Sequence, residues 1–255
     1  MNDFLYVLDS SSLRISMLKK LLKEKGEKVL DYDNFDYLDY DEKIVYVFSP
    51  AKKIDTQVIS SLSPSSTLIS YNCQSLDGIK NKNITYFNPQ SDAEYKKANS
   101  VITAEGGIEL ILSNTSKSLY SLKILVLGYG FLGKEVSRLL KSLSADVSVA
   151  TYDDKELSLA KKEYKVYYCD EFLKDASKFD VVVNTIPCEL FSLNDSLKFV
   201  SCEFFLDLAS VPCISLGTVS SLPYSYVNAL RLPDKVSPKS ACLELYNCVH
   251  RFLYS

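Results

Sequence analysis

Three glycines carry the first chemical signal in this chain. Gly128-Tyr129-Gly130-Phe131-Leu132-Gly133 spells G-x-G-x-x-G. Residues 123–127 before it are apolar after Lys123 and predict a buried strand. Val136, Leu139, Leu140 and Leu143 after it recur at helical spacing. Between a strand and an amphipathic helix, the spacing predicts a pyrophosphate cradle. Gly128 would make the tight turn, Gly130 would let backbone N–H groups approach a phosphate, and Gly133 would let helix and strand pack closely. The helix N-terminus adds N–H groups and the positive end of its dipole. Tyr129, Phe131 and Leu132 lie within the cradle and count among its cofactor-binding residues.

Further polar groups stand at strand ends, where doubly wound sheets bind their ligands. Residues 179–183 are apolar around Asp180 and run into Asn184-Thr185-Ile186-Pro187. Asn184, Thr185 and Pro187 would face a cofactor. Asp207 closes a second apolar run, Phe204-Phe-Leu, as a cofactor contact or a loop cap. An acid that grips the adenosine ribose is expected about 18 positions past the third glycine. Thr151 stands there, followed by Tyr152. With neither an acid nor an arginine, neither NAD nor NADP is specified. Glu105 precedes the pair Gly106-Gly107. Thr103 would cap a helix running to about residue 117, with Glu105 in its first turn, where an acid suits the dipole. Close approach of a ligand or another domain would justify the glycines.

The elements needed to position these groups can be read from the pattern. Residues 4–8, 28–30, 44–48, 67–70 and 84–87 read as strands alternating with helical or polar segments. The first helix carries Ile15, Leu18, Leu21 and Leu22 and ends at Gly26. Its opening turn lacks glycine, so this half need not hold a dinucleotide, although Asp9 and Arg14 would line a cleft. Residues 31–42 are acidic and tyrosine-rich and read as a solvated loop. In the second half, 147–150, 166–168 and 204–206 are further strands, 157–164 a short helix and 232–240 a loop. Leu243, Leu245, Tyr246, Val249 and Phe252 give a terminal helix an apolar face that must dock, returning to the first domain. The expected fold class is α/β: two Rossmann-like domains with doubly wound parallel sheets. The first covers 1–98 and is completed by 238–255. The second, covering 99–237, binds NAD(P).

Residues 99–107, 126–133, 184–187, 206–212 and 232–241, in order and spacing, resemble the A subunit of dipicolinate synthase, the enzyme with which spore-forming bacteria make dipicolinic acid in sporulation. That family is similar in architecture to 2-hydroxyacid dehydrogenases. The resemblance implies NAD(P)-dependent oxidation of a dihydrodipicolinate-type precursor, and its implied partner is the enzyme's flavoprotein-like B subunit. A small dicarboxylate substrate needs cations or N–H donors, and Lys235 and Lys239 are the candidates, with Glu105 as a proton-handling group. The chain departs from the family pattern at Ile102 (for proline), Tyr152 (for arginine), Val211 (for a basic residue), and Cys213 and Asp234 (for glycines). Two further readings stay open. A non-catalytic nucleotide-binding or regulatory subunit fits the departures. A 2-hydroxyacid dehydrogenase would need a histidine paired with an acid, and the sole histidine is His250 in the terminal helix.

Composition narrows the classes. A net charge of −3 over 255 residues argues against nucleic acid or an anionic membrane as partner. No long apolar run and no basic leader occur, so a soluble cytoplasmic protein is expected. A homo-oligomer is compatible with this composition. The seven cysteines show no C-x-x-C and read as free thiols. With one histidine, no metal site is expected.

Overall fold

The computed structural model describes residues 4–35, 40–74 and 76–255. Four residues of the acidic, tyrosine-rich stretch, 36–39, lie outside the described residues. The chain divides into two compact units, one formed by 1–99 with 233–255 and the other by 100–232. Asn99 and residues 233–237, grouped above with the second domain, fall in the first unit.

The first unit holds a five-stranded sheet built from β1 (Phe4–Leu8), β2 (Lys28–Asp31), β3 (Lys43–Val47), β4 (Thr67–Ile69) and β5 (Thr85–Phe87). The order β2-β1-β3-β4-β5 is parallel throughout. Two short helices, α2 (Thr56–Ser61) and α3 (Leu76–Asn81), make the connections from β3 to β4 and from β4 to β5. Two apolar layers form because β1 and β3 are buried on both faces, as expected for a parallel sheet. One layer joins Leu5, Val7, Tyr46 and Phe48 to Ile59 and Leu68 in a shared cluster. The other joins Tyr6, Leu8, Val45 and Val47 to α1 (Leu13–Glu24) and α9 (Pro238–Tyr254). Ser12 caps α1 by accepting from the Ile15 N–H, and Gly26 follows it with φ +82°. α9 brings Cys242, Leu245, Cys248 and Val249 onto α1 and the sheet. Arg251 also donates to Asp92 at 2.9 Å, and Phe252 stacks on Phe87 at 4.1 Å. The terminal helix therefore docks on the first unit.

The second unit holds a six-stranded parallel sheet in the order β11-β10-β9-β6-β7-β8. Its strands are β6 (Lys123–Leu127), β7 (Asp146–Thr151), β8 (Lys165–Tyr168), β9 (Val181–Asn184), β10 (Phe204–Asp207) and β11 (Ser225–Asn228). A single short helix, α7 (Leu193–Ser196), lies between β9 and β10 in the chain. Read from the other edge, the strand order is the dinucleotide-fold order 3-2-1-4-5-6. β6 and β9 are neighbours on either side of the reversal, where such sheets open a ligand crevice. The polar, short β11 carries no alternation, and the sequence does not signal it.

Three expectations need correction. The helix at the junction, α4, spans Ala93–Asn114. Thr103 therefore does not cap it, and Glu105 sits mid-helix and exposed instead of in the first turn. The actual start lies at Asp92, which accepts from the Tyr95 N–H at 2.6 Å. Gly107 has a reason inside its own unit: a Cβ there would come within 3.3 Å of Leu208 and 3.7 Å of Leu206. Second, α6 runs Asp154–Ala160, three residues earlier than expected at its start, because Asp153 caps it through the Lys155 and Glu156 amides. Third, the stretch read as a loop over 232–240 contains a helical turn, α8 (Leu232–Val236). Among the described residues no helix is long and apolar enough to cross a membrane.

Candidate functional site

The glycine turn joins β6 to α5 (Phe131–Ser142). Each glycine meets a different constraint. Gly128 has φ +89°, which side chains other than glycine rarely adopt, and a Cβ there would lie 2.6 Å from Thr185 Oγ1. A Cβ on Gly133 would lie 2.1 Å from the Gly128 carbonyl oxygen. These two positions are closed by the protein itself. At Gly130 the nearest atom to a built Cβ is Glu156 Oε1, at 3.5 Å, an ordinary contact. Gly130 is also the N-cap of α5 and offers no side chain to its first-turn amides. The result is an open approach to a helix N-terminus, where an anion is favoured.

A cleft of about 620 Å³ opens here, lined by Gly128, Gly130, Leu132, Gly133, Thr151, Tyr152, Asp153, Glu156, Thr185, Ile186, Pro187, Cys188 and Leu190. Its size suits a cofactor site. Eight of the residues read from the sequence as cofactor-binding lie on this wall. Four others do not: Tyr129 is buried, Phe131 lies on the exposed side of α5, and Asn184 and Asp207 are fully buried.

Asn184 and Asp207 instead form the scaffold under the cleft. Asn184 Nδ2 donates to Asp207 Oδ1 at 2.9 Å and to the Ile186 carbonyl at 3.0 Å, while its Oδ1 accepts from the Ile186 N–H. Asp207 accepts four bonds, from Asn184, the Ala209 and Cys213 amides and the Tyr226 hydroxyl. Both amide hydrogens of Asn184 and all four acceptor sites of Asp207 are used inside the fold, and both side chains are fully buried. The Thr185 N–H and Oγ1 both donate to the Leu127 carbonyl, at 2.9 and 2.7 Å. This tie draws the strand-end turn onto the glycine turn.

Glu156 is a site residue that the sequence reading misses. Its Oε2 accepts from the Tyr129 N–H at 3.0 Å and from Thr151 Oγ1 at 2.7 Å. The signal is present as Asp153-Asp154-Lys155-Glu156, an N-cap residue followed three places later by glutamate. At this capping-box position Glu156 reaches over to the glycine turn instead of back to the Asp153 amide. Tyr152, on the rim, donates its hydroxyl to Asp170. Burial first, then the facing Asp170 carboxylate, push the phenol pKa up and keep it protonated.

In the first unit, the turn after β1 is filled by the protein's own groups. Asp9 is buried and accepts from the Ser11 N–H, Ser11 Oγ and Ser49 Oγ. Arg14 is buried and paired with Asp234 at 2.5 Å, and it donates to the Tyr95 hydroxyl, which bonds Tyr71. Burial opposes its charge, but Tyr95, Tyr71 and Asp234 outweigh this and hold the guanidinium pKa above its ordinary value. Lys235 in α8 and Lys239 in the first turn of α9 are exposed members of this unit, and Glu105 is an exposed member of the other. Among the described residues no group of three or more His, Cys, Asp or Glu could hold a metal ion.

No family model matches the chain. The A subunit of dipicolinate synthase of Bacillus subtilis (strain 168) is 27% identical over 162 residues, 61% of this chain and 53% of that protein. The chain thus matches about half the length of its curated relative. The crystal structure of the dipicolinate synthase A subunit from Bacillus halodurans superposes with a TM-score of 0.85 at 20% identity, covering 100% of this chain and 99% of that one. A D-isomer specific 2-hydroxyacid dehydrogenase from Lactobacillus delbrueckii ssp. bulgaricus, solved in its NAD complexed form, shares the fold at a TM-score of 0.58 and 12% identity, over 98% of this chain and 96% of that one. The chain is homologous to the A subunit of dipicolinate synthase, and its two parallel-sheet units have the fold seen in 2-hydroxyacid dehydrogenases.

Proposed function

We propose that the second unit binds a nicotinamide dinucleotide, and that the chain is an oxidoreductase subunit of the dipicolinate synthase type. The observation that carries this is the open approach at Gly130, the N-cap of α5, which has no side chain of its own to set over the first amides of the helix. The amides of the 128–133 turn would hold the pyrophosphate, and Thr185, Ile186 and Pro187 would line the remainder of the cofactor's path along the cleft. When bound, the nicotinamide supplies hydride acceptance. The chain's own residues supply binding, orientation and exclusion of water. The substrate would be a dihydrodipicolinate-type dicarboxylate oxidised to dipicolinate. Lys235 and Lys239 would be its cations, Glu105 a proton-handling group, and the partner a flavoprotein-like B subunit.

A non-catalytic nucleotide-binding subunit is the second reading. It is favoured by the cleft's lining, whose carboxylates are Asp153 and Glu156, beside the glycine turn, with no histidine or lysine. Titration of the purified chain with NADH, followed by fluorescence transfer from its tyrosines, tests the binding step. Saturation at micromolar NADH is expected, and no saturation by 1 mM, a free energy weaker than about −4.1 kcal/mol, rejects it. Hydride transfer with the dihydro substrate and the B subunit then separates the two readings: binding without turnover leaves the regulatory one.

A further inference from the structure

We propose that Glu156 is the ribose-recognising carboxylate of this cleft, and that it selects a dinucleotide with a free adenosine 2′-hydroxyl over its 2′-phosphorylated form. The inference rests on the dinucleotide reading above. The strand-end position that would carry such an acid is Thr151. Its hydroxyl is committed to Glu156 Oε2 at 2.7 Å. The carboxylate missing from the end of β7 is therefore delivered to the same place from the first turn of α6. Two donors, Thr151 Oγ1 and the Tyr129 N–H, fix one oxygen. The other, Oε1, accepts no hydrogen bond among the described residues and lies 3.5 Å from the Cβ position of Gly130, on the cleft wall. An ionised carboxylate only accepts, so Oε1 matches the hydroxyl donors of a ribose diol.

The charges around it point the same way. Asp153 and Glu156 both line the cleft, and no lysine or arginine does. Tyr152, also on the cleft wall, gives its hydroxyl to a third carboxylate, Asp170. A 2′-phosphate would bring further negative charge to this wall and find no partner for it. At separations of about 6 Å and an effective dielectric near 20, repulsion from one carboxylate corresponds to roughly a hundredfold in affinity.

Calorimetric titration of the wild-type chain and of Glu156→Gln with NADH and NADPH tests this, with 5′-AMP and 2′-AMP as fragment probes. Glutamine keeps an oxygen that can accept from both Tyr129 and Thr151, so the variant retains its local bonds, and its unfolding midpoint checks that it folds. The wild type is expected to prefer NADH by roughly a hundredfold, and the variant to narrow that gap to about fivefold or less, chiefly by gaining NADPH. Equal affinities in the wild type overturn the proposal. So does a parallel gain for both dinucleotides in Glu156→Gln, which would make the carboxylate an obstruction to the pyrophosphate. If the wild type binds neither dinucleotide, the dinucleotide reading fails and this inference with it. If it binds both and the variant changes nothing, only this inference fails.

Discussion

Substituting alanine separately at Gly130 and Gly133 separates a glycine kept for a ligand from one kept for packing. At Gly133 the added Cβ would sit 2.1 Å from the Gly128 carbonyl oxygen and 2.8 Å from its carbon. Both are backbone atoms, so no rotamer change relieves the clash. Overpacking typically costs about 1–3 kcal/mol and more where backbone must move. Gly128 cannot yield readily, because its N–H donates to the Ala150 carbonyl at 2.7 Å and a Cβ in its place would meet Thr185. A loss of about 3 kcal/mol or more is expected, a large share of a typical domain's stability of about 5–15 kcal/mol. At Gly130 the added Cβ touches only Glu156 Oε1 at 3.5 Å, and φ is −70°. Alanine is a poorer N-cap than glycine by a few tenths of a kcal/mol or more, while the stiffer unfolded chain returns about 0.4–1 kcal/mol. The net change in stability should stay within about 1 kcal/mol. The methyl group nevertheless occupies the approach to the α5 amides, so NADH affinity should fall tenfold or more, at least about 1.4 kcal/mol. Urea unfolding monitored by circular dichroism gives the first quantity and NADH titration the second. Gly130→Ala binding NADH as the wild type does would refute the cradle. Gly133→Ala as stable as the wild type would refute the packing argument.

Two further outcomes concern the first unit. Asp234→Ala leaves the Arg14 guanidinium buried without its carboxylate, and breaking a buried pair from one side costs about 3–5 kcal/mol; a urea midpoint unchanged in this variant would show that Tyr95 and Tyr71 suffice. Asp92 has a lowered pKa: burial acts to raise it, but the Tyr95 amide and the Arg251 side chain outweigh that. Because the folded pKa lies below the unfolded one, the ionised form contributes stability above the unfolded value, about 3.9, and the contribution disappears as pH falls through the folded value. Asp92→Asn should therefore destabilise at pH 7 and show a shallower loss of stability between pH 4 and the acid limit; parallel pH–stability curves would exclude this role.

Much of the fold is legible because buried parallel strands are written as apolar runs. β1, β3, β6, β9 and β10 are buried along most of their length, and their spacing by helices fixes the parallel layout. β11 is not legible. It is a short edge strand, Ser225-Tyr-Val-Asn, partly or fully exposed along its length, and nothing but pairing with β10 makes it a strand. The start of α4 is hidden for a different reason. Its first turns are polar, and the glycine pair at 106–107 resembles a boundary, whereas Gly107 lies against Leu206 near the end of β10 and Leu208 just after it. Leu143, assigned to the buried stripe of α5, is its C-cap and half exposed.

The candidate site shows a sharper limit. Sequence places Asn184 and Asp207 at strand ends beside a crevice, and that placement holds. What cannot be read is how many donors and acceptors each side chain will find within the fold. Asp207 finds four donors and Asn184 three partners, so both groups are consumed in bracing the turn that carries Thr185. Thr185 in turn bonds the Leu127 carbonyl, immediately before Gly128. The buried amide and carboxylate therefore act on the cleft through the backbone, by holding two strand-end turns in register. Glu156 shows the converse. As a glutamate in a polar helix start it is unremarkable in sequence, and it becomes part of the site only because Asp153 sets the helix to begin three residues early. The Asp153 cap leaves Glu156 in the first turn of α6, and from there its carboxylate reaches the Tyr129 amide and stands beside Gly130.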